Sequence, residues 1–570
     1  MKERLPTDTW VRRGTVVVAC SVIASPLVAA VVAWRKGWMP VGDEAAAVAQ
    51  SWGTLSTKPP LLGLYSTVSG VTDASQTLYH PGPMQLWLIA GPLRLFAPSN
   101  GGALIASALL VGASVAVVFL AAWRCGGLRL LVPSIVMVAC FIAAIGAQFL
   151  RAPYLDAASM FMMLGVVGAG WAVVNRDDWF WPVALACATI SVQAEVAFSA
   201  PIAAIVFAIA ITRTVTCLRD RRAGGGRTTR RRSVSILVTT VVVALACWSG
   251  PLYDQFFGTG NLWQLLSAGA KGDAVGPGWA MNRLVDTLAF PPAWTHRGLR
   301  IDGEVLANGQ AVWHTPASQA SGAAIFAAVF VAMLIWCVRR RNRPLATFGL
   351  IALAGLAGAF GASSAMPNDP ISLIGHNRAW LVAGLAAWSF PVLVLSDWAV
   401  RTVRERVPSP VVWATAGSAI AGVATLVLVG SMLAASSPAN DQNSSSYGAV
   451  AQFSDVGRNY CRKAPEGVRV TQDGYGNTLI TVGLVAQLQI EGCTVHVGRD
   501  LSSTLSGAWF RPTGNERYTL RVSSSATSSR GFRRVSAYDS SSPPAAYRGF
   551  DGVYSGMPLS EPQYLSVRER

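Results

Sequence analysis

Long apolar runs separated by short arginine-rich loops set the frame of this chain. Residues 15–34, 102–123, 131–150, 157–174, 234–248, 323–338, 345–362, 379–400 and 411–433 are such runs, and each reads as a membrane-crossing helix. A further run, 179–211, is too long for one crossing and is interrupted by Gln193 and Glu195. It is either two short spans meeting at that polar pair or one tilted helix that carries it. The arginines decide between them. Eight arginines between Arg213 and Arg232, around Gly224-Gly225-Gly226, make a basic loop that belongs on the cytoplasmic side. Only the two-span reading places it there.

The resulting layout is an α-helical polytopic membrane protein of about eleven transmembrane helices, N-terminus in and C-terminus out. Lys2, Arg4, Arg12 and Arg13 hold the N-terminus inside, and Arg124, Arg129, Arg176, Arg339 to Arg343 and Arg401 to Arg406 fall on the same side. A cleaved signal peptide is the competing reading of the first run, and cleavage near Ala30 would leave the later topology unchanged. The expected domains are a transmembrane part, 1–435, with external loops 35–100 and 251–321, and an exported part, 436–570. The second loop contains an amphipathic piece at 263–266 and a hairpin at 305–312 turning at Asn308-Gly309. From Ser436 onward the composition shifts to Ser, Asn, Gly and charged residues. Strands at 467–472 and 494–498 joined by a helix at 479–490 predict a small α/β unit, with loops at 523–530 and 540–546.

Composition agrees with the pattern: 52% of the 570 residues are hydrophobic and only 13% charged, too apolar for an ordinary soluble protein. The net charge of +17 does not point to nucleic acid, because the arginines cluster between spans, where topology and anionic headgroups account for them. Of nine cysteines only Cys461 and Cys493 share a polar region, so export would make them a disulfide pair. No glycine-rich nucleotide loop, HExxH or nucleophile elbow is present, which removes support for ATP-driven transport and zinc proteolysis.

The candidate chemistry gathers on the outer side. Asp43 and Glu44 follow the first span directly, where a low-dielectric neighbourhood raises a carboxylate toward the range of a general base. The same Gly42-Asp43-Glu44 also suits an acidic first helical turn. His80, in the rigid turn Tyr79 to Pro83, reads as catalytic or as a structural residue that shapes the rim. Arg151 and Asp156 lie where the third span emerges, as a phosphate grip with a second acidic site or as an ion pair. Glu195 is an ionisable group amid apolar spans, a placement usually functional or paired. Tyr253 and Asp254, with the later Asp369, His376 and Arg378, face the same side, and Arg378 begins a span there as a partner for an anion such as a lipid phosphate.

A carboxylate just after the first span in a long external loop, an acidic site where the third span emerges, and an exported C-terminal part resemble the GT-C superfamily of membrane glycosyltransferases. These enzymes take sugars from polyprenyl-phosphate donors. The resemblance covers residues 15–433 and is closer to actinobacterial members that build cell-wall arabinan and mannan. It implies Asp43 as general base, Asp156 as second acidic site, and Arg151 and Arg378 as grips on the donor phosphate. Gly42-Asp43-Glu44 departs from members with two adjacent aspartates, which leaves the role of Glu44 open. Implied partners are the bilayer, a polyprenyl-phosphate sugar and a glycan or glycolipid acceptor, with a divalent cation as an optional participant. A transporter or lipid flippase, lined by Glu195 and Arg151, is the main rival, and a non-catalytic assembly partner the second.

Overall fold

The computed structural model describes residues 6–66, 68–73, 77–222, 229–268, 273–295, 317–367, 370–406, 410–434, 436–438, 441, 444–502, 504–505, 510–525, 531–539 and 561–570. The expected hairpin at 305–312, the loop at 540–546, most of the loop at 523–530, Asp369, and Lys2 and Arg4 lie outside the described residues. The chain begins with α1 (Pro6–Arg35), α2 (Gly42–Trp52), the short α3 (Val68–Val71) and α4 (Met84–Leu95). It continues through α5 (Gly101–Gly126), α6 (Leu128–Ile145), α7 (Ala147–Arg151), α8 (Leu155–Val174), α9 (Phe180–Ala194), α10 (Ser199–Arg222) and α11 (Thr229–Phe257). Then come α12 (Asn261–Ser267), α13 (Gly276–Leu288), α14 (Ala317–Arg339), α15 (Arg343–Ala365), α16 (Pro370–Arg406) and α17 (Pro410–Ala434).

Among the described residues nine helices are long and apolar enough to cross a membrane. Two shorter apolar stretches, α9 and Ala419–Ala434 of α17, occupy the remaining expected span positions, and the protein is a multi-pass membrane protein. Every residue of α8 is buried, as expected of a helix that is apolar all round, and α5, α9 and α10 pack around it. Gly168 lets α5 approach closely, since a Cβ there would sit 2.8 Å from the Val118 Cα. By contrast α11 and α14 leave most of their apolar windows exposed, as helices facing lipid must.

Ion pairs mark one end of the bundle. Arg124 meets Asp177 at 3.3 Å, Arg129 and Arg401 meet Asp397 at 3.1 and 2.9 Å, and Arg213 meets Asp178 at 2.6 Å. The last pair settles the break at Glu195. A continuous helix would hold residues 178 and 213 roughly 50 Å apart, so α9 and α10 must double back on each other. The third expected span is shorter than the hydropathy suggests. α6 stops at Ile145, and Gly146, with φ +89°, redirects the chain into α7. Only glycine takes that conformation without steric cost.

The second interspan segment is more helical than expected. α13 packs against α14, α15 and α16 and buries Trp279, Arg283 and Leu288. Its amphipathic spacing, with apolar residues at 279, 280, 284, 285 and 288, was the overlooked signal.

After α17 the chain forms an α/β domain from α18 (Tyr447–Arg462), β1 (Val468–Asp473), α19 (Thr478–Ile490), β2 (Val495–Val497), β3 (Tyr518–Ser523), β4 (Arg533–Tyr538) and β5 (Gln563–Glu569). The strand order is β2-β1-β3-β5-β4. β1 runs parallel to β2 and β3, and β5 is antiparallel to β3 and β4. Cys461 and Cys493 form a disulfide between the end of α18 and the chain after α19. From Ile480 to Ile490 every residue of α19 is buried, because α19 is covered by β1, α18 and, across the domain boundary, by α2. That last contact brings the C-terminal domain to the region after the first span.

Candidate active site

Asp43 and Glu44 occupy the first turn of α2, and their successive positions turn the two carboxylates in different directions. Asp43 is exposed and accepts no hydrogen bond among the described residues, whereas Glu44 is buried. Glu44 Oε1 accepts a hydrogen bond from Gln148 Nε2 at 3.4 Å, and its Oε2 is unpartnered. Both carboxylates line a cavity of ≈180 Å³ whose other walls are Val41, Gln148, Phe149, Ala152, Tyr154 and Leu479. Asp43 is therefore open to this cavity while enclosed by protein mass.

That enclosure governs its charge. Desolvation raises the Asp43 pKa, and His80 and Arg378 oppose the rise. Burial pushes His80 itself down to about 4, so His80 is neutral near pH 7 and Arg378 is the cation that favours ionised Asp43. Glu44 is pushed up to about 8 by burial, reinforced by Asp441 and Asp43 and resisted by Arg151 and Gln148. Burial thus raises both neighbours, while Arg378 favours the ionised form of Asp43 and Arg151 that of Glu44.

Arg378 forms an ion pair with Asp156. Its guanidinium lies 4.9 Å from the ring centre of Tyr154 and 5.4 Å from that of Phe149, two aromatic side chains of the cavity wall. Asp156 stands in the first turn of α8, where the helix dipole favours a carboxylate. Of the two readings of Arg151 and Asp156, the ion pair between them does not form. Arg151 is fully buried and donates through Nη2 to both carboxylate oxygens of Asp441, at 2.7 and 3.0 Å. Tyr447 donates its hydroxyl to the same carboxylate at 2.9 Å. Arg151 is thereby held against a buried anion through Nη2 alone, which leaves Nε and Nη1 without hydrogen-bond partners.

His80 is buried, with Nε2 3.6 Å from Glu195 Oε2. Burial raises Glu195 and lowers His80, so both move toward neutral forms, and at 3.6 Å the two side chains are close polar neighbours beyond hydrogen-bond distance. The turn carrying His80 is pinned to the helix break. Gly82 N donates to Gln193 O at 3.4 Å, Met84 N donates to Gln193 Oε1 at 3.2 Å, and Gln193 Nε2 donates to Cys247 O at 2.8 Å. Glu195 Oε1 in turn accepts from Ala197 N at 3.2 Å and caps the start of the next helix.

Two other candidates stand away from the cavity. Asp254 accepts from Thr259 N at 3.0 Å, Thr259 Oγ1 at 2.9 Å and Asn261 N at 3.2 Å. Asn261 then brackets the Tyr79 backbone, accepting from its N at 3.0 Å and donating to its O at 2.9 Å. Asp254 therefore shapes the loop that holds the His80 segment. Tyr253 is exposed and packs its ring on Phe257 at 5.2 Å. His376 belongs to α16, and its side chain is outside those described. Sequence reading missed Gln148, Phe149, Tyr154, Asp441, Tyr447 and Leu479. A glutamine inside the apolar run 131–150 was a usable signal, and nothing local pointed to Asp441 or Leu479.

Among the described residues no group of three or more His, Cys, Asp or Glu side chains is arranged to hold a metal ion. No chemical step is assigned to a divalent cation.

Fold and site together define a multi-pass membrane protein with an acidic, aromatic-walled cavity at the bundle end opposite the basic loops. No family model matches the chain, and no curated protein matches it in sequence. Among solved structures it is similar to apo ArnT from Cupriavidus metallidurans, at 14% identity over 88% of this chain and 92% of that one, with a TM-score of 0.42. It is also similar to the archaeal oligosaccharyltransferase AglB from Archaeoglobus fulgidus, in complex with an inhibitory peptide and a dolichol-phosphate. There the identity is 12% over 91% of this chain and 70% of that one, with a TM-score of 0.44. Likenesses of this size concern general layout, and no residue role is taken from them.

Proposed function

We propose that this protein is an inverting glycosyltransferase that moves a sugar, arabinofuranose or mannose, from a polyprenyl-phosphate donor to a cell-envelope glycan or lipid acceptor on the outer face of the membrane. The observation that carries the reading is Asp43, a carboxylate open to the cavity whose charge is favoured by Arg378 of the Arg378–Asp156 pair. Asp43 would take the proton from the acceptor hydroxyl as that oxygen attacks the anomeric carbon. The carbon–phosphate oxygen bond breaks on the opposite face, which inverts the configuration. The leaving polyprenyl phosphate is a stable anion, so no strong general acid is required, and the Arg378 guanidinium would stabilise the negative charge it carries away. Glu44, protonated at pH 7, would donate a hydrogen bond to a sugar oxygen, and Phe149 and Tyr154 offer apolar faces to a sugar ring.

The test uses the purified full-length protein in lipid nanodiscs with a short glycan acceptor and, in parallel, radiolabelled polyprenyl-phosphate arabinofuranose and polyprenyl-phosphate mannose. The expected result is transfer from one donor, with the new linkage opposite in anomeric configuration to the donor. Retention of configuration would overturn the single-displacement mechanism. In proteoliposomes, donor crossing the bilayer without transfer would favour a flippase.

A further inference from the structure

The short helix α7 joins the cavity to a buried ionic contact 290 residues away in sequence. Gln148 and Phe149, near its start, line the cavity, and Arg151, its last residue, is clamped by Asp441. Gly146 at one side, with φ +89°, and Pro153 at the other leave α7 as a separate five-residue block. Such a block is too short to be stable alone and takes its place from what its side chains grip. Gln148 bonds Glu44, and Phe149 lies beneath the Arg378 guanidinium. Among the described residues the only ion-pair partner of fully buried Arg151 is Asp441, and Asp441 is itself oriented by Tyr447, the first residue of α18. Arg151 Nε and Nη1 have no hydrogen-bond partner, so its position depends on the Nη2 contact with Asp441.

We infer that Asp441 and Tyr447 are positioning residues of the active site. Acting through Arg151, they fix α7 and so set Gln148 against Glu44 and Phe149 against Arg378. The C-terminal domain is then a working wall of the site, since it also supplies Leu479 to the cavity. The part of this inference that concerns donor affinity rests on the proposed function; the part that concerns the placement of α7 does not.

The test separates positioning from simple stabilisation. A buried ion pair replaced by apolar side chains of similar volume often keeps its stability, so the full-length double variant Arg151→Met/Asp441→Leu is compared with wild type and with Tyr447→Phe. Thermal midpoints, hydrogen exchange of residues 147–154 and binding of undecaprenyl phosphate are measured in nanodiscs. The expected double variant keeps its thermal midpoint, exchanges faster at 147–154 and binds undecaprenyl phosphate about tenfold more weakly, because the site is displaced and not unfolded. For Tyr447→Phe the same segment exchanges faster and affinity falls by roughly threefold to tenfold, the scale of one lost hydrogen bond. Wild-type exchange at 147–154 in the double variant would overturn the inference. If the double variant fails to fold, unchanged exchange in Tyr447→Phe overturns it equally. If wild-type protein does not bind undecaprenyl phosphate, the donor reading fails while the exchange data still decide the placement of α7.

Discussion

Asp43 and Glu44 are adjacent in sequence and chemically opposed. Asp43 opens to the cavity near Arg378, while Glu44 is buried against Gln148 and pushed up to about 8. A base must be ionised, so transfer should rise with pH as Asp43 loses its proton. A hydrogen-bond donor must be protonated, so transfer should fall as pH passes about 8 and Glu44 ionises. The prediction is a bell-shaped rate profile. In Glu44→Gln, whose amide donates at every pH, the alkaline limb should disappear when transfer is followed from pH 6 to 10. Arg378 yields a second prediction. Lysine at 378 keeps the charge but loses the planar face held near Tyr154 and Phe149. The donor KM should rise roughly 2- to 30-fold for the loss of cation–π contact worth about 0.5–2 kcal/mol, measured by steady-state kinetics. The identities of Asp43, Asp156 and Arg378 could be singled out from sequence because charges at span boundaries are conspicuous. Their pairing could not. Arg151 and Asp156, five residues apart, looked like natural partners, yet each is claimed by a residue from a distant segment.

The elements were legible wherever a hydrophobic run is long and its flanks are charged. Hydropathy and arginine placement recovered the division at Glu195, which the Asp178–Arg213 pair makes evident. They did not recover the early end of α6, because the apolar run continues past Gly146 and only the backbone turns. β3, β4 and β5 were missed because their outward positions carry arginine and serine in a Ser-rich context, whereas β1, α19 and β2 announced themselves by compact apolar runs. The contact of α2 with α19 was invisible for the same reason that any long-range packing is: neither surface names its partner. It nevertheless depends on one residue that can be tested. Gly42 has φ +53°, and a Cβ there would lie 2.5 Å from Leu479 Cδ2. Gly42→Ala should therefore push α2 off α19 and lower stability by about 1–3 kcal/mol from overpacking and backbone strain. The thermal midpoint in detergent reads this. Adding Leu479→Ala should restore part of the loss, and an equal or larger deficit in the double variant would contradict the account.

At the scale of the whole molecule, the bundle has one end braced by arginine–aspartate pairs and the other hollowed into the candidate site. The C-terminal domain sits over the hollow end, tied to it by Asp441 and Leu479. That domain has its own acid sensitivity. Burial alone would raise the pKa of Glu516, but hydrogen bonds from the Thr513 backbone and from Arg469, at 2.5 and 2.7 Å, outweigh burial and hold it at about 2. A depressed carboxylate stabilises the fold above its unfolded pKa, near 4.5, and that stabilisation is lost as pH falls toward 2. Protection of β1 and β3 against hydrogen exchange should accordingly decline across that window, and Glu516→Gln should remove the pH-dependent part while lowering protection at neutral pH.

The central claim is that Asp43 performs the chemistry and does not merely shape the cavity. The most direct measurement is sugar transfer by Asp43→Asn, an isosteric change at a position that accepts no hydrogen bond among the described residues, alongside its affinity for undecaprenyl phosphate. Loss of a general base predicts a fall in kcat of about 10²- to 10⁴-fold with thermal midpoint and undecaprenyl phosphate affinity close to wild type. Transfer by Asp43→Asn at the wild-type rate would contradict the account.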